Sequence, residues 1–160
     1  MKTVCIYHSI DLDGWMSAAI VKHWFITNSI KNLLDINISN SNTIGFIGYN
    51  YGDPIPNLSE YDKVIMCDIS FPKDEMMKLW DIVGVDNMIW IDHHISAIKD
   101  IQDTKWLWDG MQDTKYAACE LTWKYFFPNA EMPEIVKLLG RYDCFGHKGT
   151  DEEQKVLEFQ

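Results

Sequence analysis

The stretch TVCIYHSIDLDGW, Thr3 to Trp15, decides the fold. Its first six residues, TVCIYH (3–8), are apolar without alternation, the signature of a strand buried on both faces. The run ends in His8, and Asp11, Asp13 and Gly14 follow at once. Beyond them GWMSAAIVKHWFI (14–26) puts Met16, Ala19, Ile20, Val21 and Trp24 on one broad face of a predicted helix. Polar groups thus sit where a buried strand passes into a helix.

The same grammar returns along the chain. TIGFIGYN (43–50) reads as a second strand, and the turn-rich segment after it carries Gly52, Pro54 and Pro56 as breakers. KVIMCD (63–68) and NMIWID (87–92) are apolar strands that each end in an acid. PKDEMMKLWDIV (72–83) is a helix with proline suited to its first turn. TKWLW (104–108) is assigned to a short strand, and DTKYAACELTWKYFF (113–127) to a helix stopped by Pro128. PEIVKLLGRYD (133–143) opens another helix at Pro133. Apolar strands separated by helices specify a three-layer α/β fold, a mostly parallel sheet of about five strands covered on both faces. Such sheets carry their ligand site beyond the carboxyl ends of the strands.

Composition narrows the classes. The 160 residues suffice for one domain, and 47% apolar content excludes a disordered polymer. No apolar run reaches the ~20 residues of a membrane span, and the first residues lack a signal-peptide layout. The expectation is a cytoplasmic protein without a membrane partner. The four cysteines, Cys5, Cys67, Cys119 and Cys144, show no CxxC spacing and read as free thiols. A net charge of -10, with 14 basic against 24 acidic residues, argues against long duplex nucleic acid as partner.

The loaded residues all fall at strand ends: His8, Asp11 and Asp13 after the first, Asp68 after VIMC, and Asp92, His93 and His94 after MIWI. In a parallel sheet they converge on one rim. Crowded carboxylates stay ionised only beside positive charge, and these stretches hold no lysine or arginine. Divalent metal supplies what is missing. Carboxylate with imidazole suits Mn²⁺, Fe²⁺ or Zn²⁺, and this many donors suffice for two ions. Taken singly, Asp13 also fits a helix cap, Asp68 a turn, and His8 an ordinary core or surface histidine.

The motifs HSIDLDG, CDIS and IDHHIS, with AACELTWKYFF followed by LLGRYD, resemble in that order those of the DHH phosphoesterase superfamily. That group includes RecJ-type exonucleases, nanoRNA and cyclic-dinucleotide phosphodiesterases and family II pyrophosphatases. The resemblance implies His8, Asp11, Asp13, Asp68, His93 and Asp143 as ligands, with Asp68 bridging two ions. Asp92 either ligates or orients a neighbouring histidine. His94 would face the phosphate. The cofactors implied are two divalent ions, Mn²⁺ first, with Mg²⁺, Co²⁺ or Fe²⁺ as alternatives.

The activity implied is hydrolysis of a phosphodiester or small phosphate compound, such as a short nucleotide, by metal-activated water. The short spacing from His8 to Asp11 speaks against the alternative, a pyrophosphatase or polyphosphatase. A non-catalytic metal-binding module is the third reading. Relatives usually carry a second, glycine-rich domain that grips substrate; no such motif occurs here, so residues 1–160 are expected to form the catalytic domain alone. The oligomeric state is left open.

Among the remaining candidates, Arg141 either forks onto a phosphate or caps its helix. His147 and Lys148 are expected in solvent, with a phosphate contact as the alternative, and His23 in a structural role. Trp106, Trp108, Tyr142 and Phe145 offer stacking surfaces or packing. Asn50 and Tyr51 follow the second strand on the same rim and either form a tight turn or touch substrate.

Overall fold

The computed structural model describes residues 1–34, 42–102 and 108–160. Five strands form one sheet: β1 (Lys2–His8), β2 (Thr43–Tyr49), β3 (Lys63–Cys67), β4 (Met88–Asp92) and β5 (Asp109–Gln112). The order is β2-β1-β3-β4-β5, and every neighbouring pair is parallel. Among the described residues six helices accompany it: α1 (Leu12–Leu34), α2 (Lys73–Val83), α3 (Ile95–Gln102), α4 (Ala118–Phe126), α5 (Glu134–Asp143) and α6 (Glu153–Phe159). A 3₁₀ turn, Val85–Asn87, leads into β4. The expected α/β architecture is the one found.

The pleat sorts the apolar strand residues between two cores. Cys5, Tyr7, Ile65, Cys67, Ile89 and Ile91 face α1 and α4, meeting Val21, Leu121 and Phe126. Val4, Ile6, Val64, Met66, Met88 and Trp90 face α2 and α3, meeting Met76, Leu79 and Ile98. Both faces are covered, so the strands have no reason to alternate. Each fully buried side chain of this kind adds about 1.5–3 kcal/mol of transfer free energy. A smaller core of Ile20, Ala117, Cys119, Val136 and Leu139 ties α5 to α1 and α4.

Several boundaries differ from the sequence reading. α1 runs on to Leu34, well past residue 26. The helix expected from 113 begins only at Ala118, because Asp113 turns its carboxylate onto the Lys115 N–H (2.9 Å) and holds a local turn. The expected strand at 104–108 lies outside the described residues except for Trp108, and β5 follows it at Asp109–Gln112. α3 and α6 were not expected. No helix among the described residues is long and apolar enough to cross a membrane.

Moving from β1 to β2 runs one way across the sheet, and from β3 onward the other. The crevice where the order reverses lies between the ends of β1 and β3, the usual ligand position in such folds. Tyr7 pairs with Cys67 and Cys67 with Ile91, so the next residues, His8, Asp68 and Asp92, come out side by side.

Candidate metal centre

Asp68 sits at the middle of the rim. It is 1% exposed, and its backbone takes the left-handed conformation at φ 62°. A non-glycine residue pays strain to adopt that shape, and such strain gathers at functional sites. Its N–H donates to the Ile91 carbonyl (2.9 Å), which pins the residue to β4. Both carboxylate oxygens are buried without a hydrogen-bond partner.

Histidines surround it. His8 Nδ1 lies 3.5 Å from Asp68 Oδ2 and 2.9 Å from Asp11 Oδ2, without hydrogen-bond geometry to either. On the other side His93 Nε2 lies 3.2 Å from Asp68 Oδ1, 3.4 Å from Asp143 Oδ2 and 3.7 Å from Asp13 Oδ2. Among the described residues, the positive partner in each of these close contacts is a histidine. Donor atoms of His8, Asp11 and Asp68 lie within 4.8 Å of one another, as do those of Asp68, His93 and His94 and those of His93, Asp143 and Cys144. Asp68 is common to the first two groups and His93 to the last two.

The elements that place these groups were partly invisible in sequence. Asp11, not Asp13, caps α1, its Oδ1 accepting the Gly14 N–H (3.0 Å). Asp13 instead reaches across the fold. Its two oxygens accept the N–H groups of Ala118 (2.8 Å) and Cys119 (2.7 Å), orphan donors in the first turn of α4. Gly14 is required by close approach: a Cβ there would stand 1.9 Å from the His8 carbonyl oxygen.

Asp92 is wholly buried. Its Oδ1 accepts the backbone N–H groups of His93 (2.7 Å) and His94 (3.0 Å) and lies 2.7 Å from His94 Nδ1. This fixes the turn after β4 and the His94 ring plane. His93 is steadied on its far side by Cys144 Sγ, 3.8 Å from Nδ1. Sequence reasoning passed over that thiol, since nothing marks a cysteine after Asp143 as a neighbour of His93.

The electrostatics are those of an anionic centre seeking cations. Burial, reinforced by Asp68, pushes Asp13 up to about 7. Burial raises Asp143 as well. Burial pulls His93 down, but Asp68, Cys144 and Asp13 outweigh it and hold the ring at about 11. Asp68 raises His8, and Asp92 raises His94. Burial works against the Asp68 carboxylate, yet His8 and His93 bring it below its ordinary value. A proton on the His93 imidazole thus supplies compensating charge. The residues fit a divalent metal: buried carboxylate oxygens without donors, mixed with imidazole, are what such an ion replaces protons to bind.

Other expected residues lie elsewhere. Arg141 donates from Nη1 to the Gly146 carbonyl (3.2 Å), and its Nη2 lies 3.3 Å from Glu152. His147 is buried, not in solvent, with Nδ1 2.9 Å from the Arg141 carbonyl and its ring stacked on Tyr142. Lys148 rests over Phe145. His23 stacks on Phe127, and Trp108 packs edge-on against Trp90. Trp106 lies outside the described residues. Tyr51 does reach the site, its ring 5.9 Å from His8 and 6.0 Å from His94 between centroids.

Fold and site together define a doubly covered parallel α/β domain with an acid–histidine centre at its topological switch point. The chain belongs to the DHH family, whose N-terminal domain matches residues 3–140. This is a family of metal-dependent phosphoesterases. The uncharacterized protein R106 of Acanthamoeba polyphaga mimivirus is 27% identical over 166 residues, which cover 98% of this chain and 36% of that protein. The crystal structure of an uncharacterized protein from Helicobacter pylori G27 shares the fold at TM-score 0.58 and 15% identity, over 92% of this chain and 44% of the other. The chain therefore spans less than half the length of either.

Proposed function

We propose that the protein hydrolyses a phosphodiester or small phosphate compound, a short nucleotide being the substrate class, with two divalent ions, Mn²⁺ foremost, as cofactors. The observation that carries this reading is Asp68, a buried carboxylate with both oxygens unpartnered, set between His8 on one side and His93 on the other. His8, Asp11 and Asp68 would hold one ion, and Asp13, Asp68, His93 and Asp143 the other. When bound, the pair supplies a water nucleophile near neutral pH and charge relief at phosphorus.

The chain's own residues do the rest. Asp13 joins the ligand group to the start of α4, so that the site and the helix layer form together. Asp92 holds His94 at Nδ1, leaving that ring's other edge to donate to a phosphate oxygen and fix the ester's orientation. The acidic surroundings repel a polyanionic duplex and favour a ligand with few phosphates.

The test compares turnover of an aryl phosphodiester, a linear dinucleotide and pyrophosphate with Mn²⁺ present. Turnover of either diester, lost in Asp68→Asn, is expected. Orthophosphate from pyrophosphate alone would select the pyrophosphatase reading, and metal binding without any turnover the non-catalytic one.

A further inference from the structure

The two edges of the sheet are finished differently. β5, at one edge, is four residues long, opens on Asp109 and takes φ 125° at Gly110. Short length, a charge and a distorted backbone are common guards of a strand edge. β2, at the other edge, has none of them. Its seven residues, TIGFIGY, carry no charge and no proline, and they pair with β1 in unbroken register from Thr43 to Tyr49. The Thr43 N–H donates to the Met1 carbonyl, and the Tyr49 carbonyl accepts the Ser9 N–H, so both residues turn their polar groups toward β1. Alternation along the strand then points the N–H and C=O groups of Ile44, Phe46 and Gly48 outward. Among the described residues the sheet goes no further on this side.

Beside this edge α1 carries an apolar stripe. Trp15, Ala19, Ile26 and Ile30 recur at helical spacing and are all exposed, with the exposed Lys22 as the interruption. Trp15 fixes where the stripe lies. Its Nε1 donates to the Ser9 carbonyl (3.0 Å), and the Ser9 N–H donates in turn to Tyr49 at the end of β2 (3.3 Å). Phe46, on the same face of β2 as Ile44, adds a further exposed ring.

Charge says what can cover this face. Beyond Asp13, α1 contains no acid, and β2 contains no charge at all. In a chain of net charge -10, two copies repel one another over most of their surface but not here. TIGFIGY set against itself opposes no charge to a like charge in any register.

We propose that this face joins two copies of the chain. β2 pairs antiparallel with β2 of the second copy, and the two α1 stripes meet above that junction, so that two five-stranded sheets become one. Both parts are needed. A ladder of seven residues runs only about 24 Å, too little for the roughly 800 Å² that each partner buries in a stable complex. The helix stripe supplies the apolar area. The two-fold axis reverses the strands, so the two metal rims open at opposite edges and neither is covered. This assembly stands independently of the phosphoesterase reading.

Sedimentation equilibrium on the purified protein tests the proposal, with twice the 18.7 kDa chain mass as the expected result. Amide hydrogen exchange identifies the face. The N–H groups of Ile44, Phe46 and Gly48 should gain protection as concentration rises, while those of Gly45 and Ile47, bonded to β1, stay protected throughout. Phe46→Lys charges the strand edge. Ile26→Glu puts an acid on the stripe at a position 47% exposed, in a residue type that suits a helix. Each should weaken the dimer at least about tenfold, because symmetry counts every change twice. An unchanged circular dichroism spectrum separates that loss from unfolding. A single-chain mass up to millimolar concentration overturns the proposal. So does a dimer in which those three amides remain open, or one that Ile26→Glu, still folded, leaves as tight as wild type.

Discussion

Two charged regions of this molecule use the same residue types to opposite ends. On the outer face of α5 and α6, Lys155 pairs with Glu134, Arg141 with Glu152, and Lys137 with Glu131, all of them exposed. At the strand rim, Asp13, Asp68 and Asp92 are at most 3% exposed, and histidine supplies the close positive partners. The first region is electrically complete and screened by water, so each pair contributes little. The second is incomplete as protein, since burying acids beside one another costs stability unless cations join them. A cluster that costs stability marks function, whereas a cluster that balances itself marks a surface.

The largest effect belongs to the rim. Asp68→Asn should lower turnover on a diester by at least about 100-fold, since it touches both proposed ion positions. It should also lower the thermal midpoint of the metal-free protein near neutral pH, because the rings of His8 and His93 lose the carboxylate that favours their protonated forms. An unchanged midpoint would mean that the Asp68 carboxylate and these imidazoles do not compensate one another. Next comes Gly14→Ala. The added methyl would collide with the His8 carbonyl, so a lower midpoint and weaker metal binding should appear together in calorimetry. A variant as stable and as metal-competent as wild type would show that β1 and α1 need not meet so closely.

Asp92→Asn comes third. Asn keeps the shape of the side chain but weakens the hold on His94, and a loss of about 10- to 100-fold in activity is expected from an orienting group of this kind. Full activity would make the contact at 2.7 Å incidental. The smallest effects should come from the paired face: Lys155→Gln and Arg141→Gln are expected to leave turnover close to wild type. A fall in Arg141→Gln comparable to that of Asp68→Asn would return Arg141 to the substrate and erase the contrast between the regions.

Much of this was legible in the chain. The strands VCIY, VIMC and MIWI announce burial on both faces, and parallel order alone then sends His8, Asp68 and Asp92 to one rim. What the sequence withholds is contact across distance. Asp13 caps α4 over more than 100 residues of separation, and Cys144 reaches His93 from the end of α5, contacts that no local pattern encodes. The first turn of α4, which follows the turn held by Asp113, is where the carboxylate of Asp13 arrives. α3 was missed because only eight residues follow the His-His pair, too few for a clear period. His147 was misplaced because a histidine in a polar, glycine-flanked stretch resembles a solvent residue until its carbonyl partner is seen.

The most direct measurement is a Mn²⁺ titration of the wild type and Asp68→Asn, read as bound metal per chain by equilibrium dialysis. The account predicts two ions per wild-type chain and failure of the variant to retain both. No bound metal in the wild type, or an unchanged stoichiometry and affinity in Asp68→Asn, would contradict it.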